Sequence, residues 1–336
     1  MPSELDESFI GETPLVELDV EVPATVAGKA EWFNLYDAPY GGGSVKSRIA
    51  RGMLDGAEAR GELTDGDVVI EPSSGNTGSE LARVAGARGY DVEIVVPDNA
   101  SGGKLGAIRD AGAELHLVDA DEGYDAVIER ADELVAADPG RYYRPNQYTN
   151  PDNPGTHERT TAPEIVDQTD GAVTHFVAGV GTGGTVTGTG RGLPDDVEVV
   201  GFEPAEVLHA IDGLKYLRSG EGYHPETYDE SVLDRKLYVD TGAAYDRARE
   251  LRDCFADREV PVVDRGQHEA ATVREHLRVE GGFYVGTSGG AGVQAVHALH
   301  DEVGLTDGDY VVIPLCDRGD KYADVPLWAE ELGETA

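Results

Sequence analysis

Lys46 is one of only six lysines in the 336-residue chain, and it follows a glycine turn in GGGSVKSR (41–48). Glycines let a backbone approach a ligand closely, and Ser44 can cap a helix beginning near Lys46. A lysine amine placed there can form an imine with an aldehyde cofactor. On this segment alone, a solvated surface lysine is the simpler reading. A second segment, EPSSGNTG (71–78), joins an apolar run to an amphipathic one. Its hydroxyls and N–H groups, from Ser73, Ser74, Gly75 and Thr77, can form a carboxylate-binding nest at a helix start. Asn76 adds an amide suited to a phenolate or carbonyl oxygen. An ordinary capped turn is the alternative.

A third segment, AGVGTGGT (178–185), offers the free N–H groups and hydroxyls of Gly181, Thr182, Gly183, Gly184 and Thr185, which suit a phosphate. It also matches GxGxxG, with Glu203 at a spacing suited to a ribose, so a dinucleotide reading stands beside it. A fourth, GTSGGA (286–291), sets Ser288 to offer a neutral hydroxyl to a ligand.

The elements that would position these loops alternate. Candidate strands are 67–71, 91–97, 114–119, 174–180, 197–203, 282–287 and 310–316, and candidate helices include 79–88, 104–111, 124–137 and 243–255. This order predicts an α/β fold of open, largely parallel twisted sheets covered by helices. The Pro-, Asn- and Tyr-rich stretch 139–155 reads as a long connection between two α/β halves.

Charge narrows the function classes. Acidic residues outnumber basic ones 65 to 27, for a net charge of -38, which disfavours nucleic acid as a partner. Dispersed carboxylates with scarce lysine suggest a halophile's cytosol, where salt screens self-repulsion. No apolar run is long enough for a membrane span, and the acidic N-terminus lacks a leader pattern, so a cytoplasmic protein is expected. Cys254 and Cys316 form no CxxC, and no metal site is expected. Cys316, closing an apolar run, reads as a buried small residue.

Taken together and in order, the loops resemble the cysteine synthase and cystathionine β-synthase family, pyridoxal-phosphate enzymes of fold type II. The resemblance rests on Phe33-Asn34 with GGSVKSRIA, EPSSGNTGSELA, VPDNAS with GAIRDAGAEL, QYTNPDNPGTHERTTAPEI, FVAGVGTGGTVTGTGR, GTSGGA and CDRGDKY, and covers about residues 10 to 325. It implies pyridoxal 5′-phosphate in a cleft between a smaller mobile domain, 40–153, and a larger one formed by 1–39 and 154–336. Lys46 would hold the cofactor aldehyde and act as the base at Cα. Residues 181–185 would take the phosphate, Asn76 the 3′ oxygen, and Ser288 the pyridine nitrogen. A hydroxyl at that nitrogen suits β-elimination. Ser73, Ser74, Gly75, Thr77 and Gln147 would clasp the substrate carboxylate.

The implied activity is cysteine synthesis. Sulfide would replace the leaving group of an O-activated serine, O-acetylserine or O-phosphoserine, through an aminoacrylate. A protein-bound sulfur carrier could serve as donor, and a homodimer is expected, with a haloarchaeal member of the family as the implied source. Two departures bear on the substrate. The Asn-Pro usual before GGSVK is replaced by 34–41, NLYDAPYG. The segment 206–225 resembles the branch using O-phosphoserine, where Arg218 would meet the phosphate. Cystathionine β-synthase, serine or threonine dehydratase and a diaminopropionate-forming enzyme are the rivals within the fold. Outside it stand a nicotinamide oxidoreductase and a cofactor-free binding homologue.

Overall fold

The computed structural model describes residues 5–36, 42–100, 102–218 and 224–333. Gly41 of the glycine turn, 37–40, Ser101 and 219–223 lie outside the described residues, as does the 39/40 boundary between the expected domains.

The chain opens with β1 (Leu15–Leu18) and β2 (Thr25–Ala30). There follow α1 (Val45–Arg60), β3 (Val68–Pro72), α2 (Asn76–Ala87), β4 (Asp91–Pro97), α3 (Gly102–Asp110), β5 (Glu114–Val118), α4 (Tyr124–Ala137) and β6 (Tyr142–Tyr143). The second half runs α5 (Asp152–Arg159), α6 (Thr161–Gln168), β7 (His175–Gly179), α7 (Gly184–Gly192), β8 (Glu198–Pro204) and β9 (Arg235–Val239). It ends with α8 (Thr241–Cys254), β10 (Val262–Asp264), α9 (Ala270–His276), α10 (Thr287–Val303), β11 (Tyr310–Leu315) and α11 (Ala329–Leu332).

Two sheets result. One has four parallel strands in the order β5-β4-β3-β6. The other has seven, in the order β10-β1-β2-β11-β7-β8-β9. It is parallel from β2 to β9 and antiparallel at β1 and β10. The central strands are buried along their length, as in β3, where all five residues of VVIEP are covered; a strand covered on both faces reads as a continuous rather than alternating run. Leu81, Ile94 and Val69 pack the core of the smaller sheet, and Trp32, Phe283 and Trp328 that of the larger.

Three expectations change. Residues 282–287 form no strand but a buried approach to α10, tied by single bridges from Gly282 to Val279 and Val285 to Arg318. Both edges of the adjacent β11 are already taken by β2 and β7, so no ladder is free for it. The antiparallel pair β1 and β2, the three-residue β10 and the edge strand β9 were not anticipated, because LVEL and TVAGKA are short and interrupted by polar residues and RKLYV opens on two charged ones. The stretch 139–155 is a connection only in part, since it contributes β6 and the start of α5.

Candidate functional site

All four loops open onto one cleft of about 350 Å³, at the carboxyl ends of β3, β7 and β11. Ligands of open α/β sheets bind at such ends. Ser44 caps α1: its hydroxyl accepts from Lys46 N at 3.2 Å, and Ser47 closes a reciprocal capping box. Glu80 of α2 accepts from Ser47 Oγ at 2.9 Å, so the first turns of α1 and α2 are joined. Lys46, second in α1, is half-buried in the cleft wall. Its amine makes no hydrogen bond or ion pair among the described residues. Burial lowers its pKa, opposed by the nearby Cys316 and Asp317, which favours the neutral nucleophile an imine needs.

Two residues beyond Lys46, Arg48 fixes the helix to the larger sheet. Its guanidinium donates to Glu31 at 2.7 and 3.0 Å and to Glu164 at 2.6 and 2.7 Å. Lys29 completes the cluster, 2.8 Å from Glu164. Arg48, Glu31 and Lys29 are buried, and the two cations hold Glu164 well below the usual carboxylate range despite the opposing effect of burial.

The loop after β3 folds on itself. Ser73 Oγ accepts from Gly78 N at 3.1 Å and Gly75 N at 3.4 Å, and Thr77 Oγ1 donates to Gln147 Oε1 at 2.7 Å. Gln147 is therefore brought to the loop from 70 residues away. Glu71 holds that segment, accepting from Asn146 N at 2.9 Å and Gln147 N at 3.2 Å. Burial pushes the Glu71 carboxyl up to about 7, against the pull of those two donors and of Arg144.

After β7 the chain turns through Gly183, whose φ of +80° suits glycine. A Cβ there would lie 2.3 Å from Tyr228 Cβ, and one at Gly181 would lie 2.1 Å from the Gly213 carbonyl oxygen. Thr182 and Thr185 line the cleft. Gly184 does not; it faces α5, where a Cβ would lie 1.9 Å from Asn153 Oδ1. A turn further, Gly188 would meet the Pro154 carbonyl oxygen at 1.9 Å, and then Gly192 would meet Glu158 O at 2.7 Å. The backbone of α7 thus lies directly against α5. Beneath the loop the imidazole of buried His157 contacts Thr185 Oγ1 at 3.3 Å and Thr161 Oγ1 at 2.8 Å; burial keeps it neutral.

Ser288, buried at the start of α10, lines the cleft beside Cys316 and Asp317. Burial pushes the Cys316 thiol up to about 12, so it is no thiolate.

The cleft thus gathers Lys46, Ser73, Ser74, Gly75, Asn76, Thr77, Gln147, Gly181, Thr182, Gly183, Thr185 and Ser288. It does not gather Arg218, which is exposed and stacks 4.8 Å above the Tyr238 ring. Besides Lys46, the basic side chain that lines the cleft among the described residues is Lys215, 4.9 Å above the Tyr148 ring, with its pKa lowered by burial. Sequence reasoning missed it, together with His157, Glu71, Asp317 and Tyr322; the scarcity of lysine was the one available signal for Lys215. Glu203 is buried, paired with Lys236 at 2.7 Å, and accepts from Leu217 N at 3.0 Å. It has no free edge for a ribose.

An aldehyde cofactor carrying a phosphate fits this set. The unpaired amine of Lys46 lies in one wall, and Gly181, Thr182, Gly183 and Thr185 line the cleft where the loop after β7 enters α7.

Residues 7–317 match the family model described as pyridoxal-phosphate dependent enzyme. A cysteine synthase of Aquifex aeolicus is 36% identical over 327 residues, 96% of this chain and 91% of that protein. Cysteine synthase B of Salmonella typhimurium is 36% identical over 329 residues, 97% and 96% of the two chains. Among solved structures, an O-ureido-L-serine synthase aligns with a TM-score of 0.79 at 33% identity, covering 100% of this chain and 97% of that one. A cysteine synthase of Entamoeba histolytica aligns at 0.78 and 28%, covering 98% and 91%.

Proposed function

The chain belongs to the family of pyridoxal-phosphate dependent enzymes, and from that premise we propose that it makes L-cysteine by replacing the β-substituent of an O-activated serine with sulfide. When bound, the cofactor supplies a carbonyl carbon for the Lys46 amine to hold and a ring that draws electrons from the Cα–H bond of an attached amino acid.

The chain's residues do the rest. Gly181, Thr182, Gly183, Gly184 and Thr185 bind the phosphate, with Gly184 acting by letting α7 start close to α5. Asn76 donates to the 3′ oxygen, and the Ser288 hydroxyl faces the ring nitrogen. Ser73, Ser74, Gly75, Thr77 and Gln147 bind the α-carboxylate and fix the angle of the Cα–H bond. Displaced from the cofactor carbon by the substrate amine, the freed amine of Lys46 takes the Cα proton, and the leaving group departs from Cβ with its bonding pair. Sulfide supplies the pair for the new C–S bond, and Lys46 returns a proton to Cα.

We take 40–153 as the unit that closes over the carboxylate, excluding water. The enzyme works as a cytoplasmic homodimer of a halophile, with free sulfide or a protein-bound carrier as donor. Lys215 in the cleft favours a group that is charged before it departs, as the phosphate of O-phosphoserine is, over the neutral acetyl ester.

The unpaired, half-buried amine of Lys46 between two N–H-rich loops carries this reading. Lys46→Ala is expected to lose the violet absorption of the covalently held cofactor and all cysteine formation, with an unchanged thermal melt. Cysteine formation by that variant refutes the reading.

A further inference from the structure

Asn76 opens α2 above the smaller sheet, and its amide is gripped at both ends by residues from the segment after β11 of the larger one. Nδ2 donates to Asp317 Oδ2 at 2.6 Å, and Oδ1 accepts from Lys321 Nζ at 3.3 Å. These contacts join residues 241 and 245 positions apart. The grips are themselves held. Asp317 Oδ2 also accepts from the Tyr322 hydroxyl at 2.6 Å, and Lys321 Nζ donates to the Gly43 carbonyl oxygen at 3.0 Å, in the turn before Lys46. Asp317 is 2% exposed.

An amide is nearly symmetric in shape and opposite in polarity at its two ends. Turned over, Asn76 would set its N–H against an ammonium and its carbonyl against a carboxylate. Both charge-assisted bonds would become repulsions. In the observed orientation one N–H of Nδ2 is used by Asp317. The other is the amide's open donor, on a residue that lines the cleft.

We propose that Asp317 and Lys321 are positioning residues that lock the Asn76 amide with its N–H, not its carbonyl, toward the phenolic oxygen of the cofactor. The inference rests on the pyridoxal reading and on the contact proposed for Asn76. A free amide would present either end, and the carbonyl would repel a phenolate. Lys321 adds a second effect: by holding Gly43 as well, it ties the turn before Lys46 to the amide, so the two groups that meet the cofactor keep one spacing.

The test is a double-mutant cycle on the loaded enzyme, read by the position of its visible band and by cofactor release on dilution. Asp317→Asn and Lys321→Met are each expected to shift the band and to speed release about tenfold, the effect of one charge-assisted hydrogen bond. In the Asn76→Ala background each is expected to add less than about twofold, because the amide through which it acts is gone. Lys321→Arg, which keeps a donor, is expected to stay within about twofold of the parent. If Asp317→Asn does not fold, Lys321→Met and Lys321→Arg carry the cycle alone. Full-sized effects retained in the Asn76→Ala background overturn the inference while leaving the pyridoxal reading intact. A parent protein that stays colourless with added pyridoxal phosphate sinks both.

Discussion

Arg48→Met tests how the helix bearing Lys46 is held. In the native cluster Arg48 and Lys29 balance Glu31 and Glu164, and Arg48 alone makes four bonds to the two carboxylates. Methionine fills much of the same space, so the main loss is the charge. Glu31, 1% exposed, keeps Asn34 Nδ2 at 2.8 Å and Thr13 Oγ1 at 3.1 Å but faces no cation at hydrogen-bond distance. Breaking a buried pair in this way costs about 3–5 kcal/mol. An unfolding entropy of about 2.1 cal/mol/K per residue gives roughly 0.7 kcal/mol/K for this chain, so the melting temperature should fall by about 4–7 °C. Calorimetry at low and at molar KCl is the assay. The acidic surface should make both proteins melt higher in salt, yet the gap between them should persist, because salt does not reach the cluster. Adding Glu31→Gln should recover part of the loss. A gap of less than 1 °C, or one that closes in molar KCl, refutes the claim that this cluster is a dry anchor.

Two further outcomes follow from the site. The folded pKa of Glu71 is raised to about 7, so its contribution to stability is full below its unfolded value of about 4.5 and is lost as pH rises through about 7. Glu71→Gln should remove on the order of 2–3 kcal/mol of that pH dependence, measured by denaturant unfolding at pH 5 and pH 8 against the parent; parallel profiles contradict it. Lys215→Met should raise KM for O-phosphoserine about tenfold or more and leave O-acetylserine within about twofold, whereas Arg218→Met should change neither. Steady-state kinetics with both esters decides between the two cations.

The parallel strands β3, β4, β5, β7, β8 and β11 and the glycine loops were legible because each is a local pattern: a run of apolar residues, then a turn whose small residues have few other uses. What escaped depends on contacts that sequence order hides. Residues 282–287 have the aromatic and β-branched content of a strand, yet β11 has no edge left to pair with them. Arg218, expected at the leaving group by segment likeness, stacks on Tyr238 outside the cleft lining, whereas Lys215, three residues earlier, is part of it. Asp317 and Lys321 were visible only as letters in CDRGDKY. Nothing in their neighbourhood marks them as partners of Asn76, some 240 residues away.

The stripe of Gly184, Gly188 and Gly192 has a consequence for how this protein can change over generations. Any side chain there collides with α5, at distances from 1.9 to 2.7 Å, and the colliding atoms include main chain that cannot swing aside. Alanine, the mildest replacement, is already too large. A full substitution scan of α7 should therefore find Gly184, Gly188 and Gly192 intolerant, together with the buried Val186, Thr187 and Thr189. Along the face turned to α5, what the fold requires is an absence of atoms.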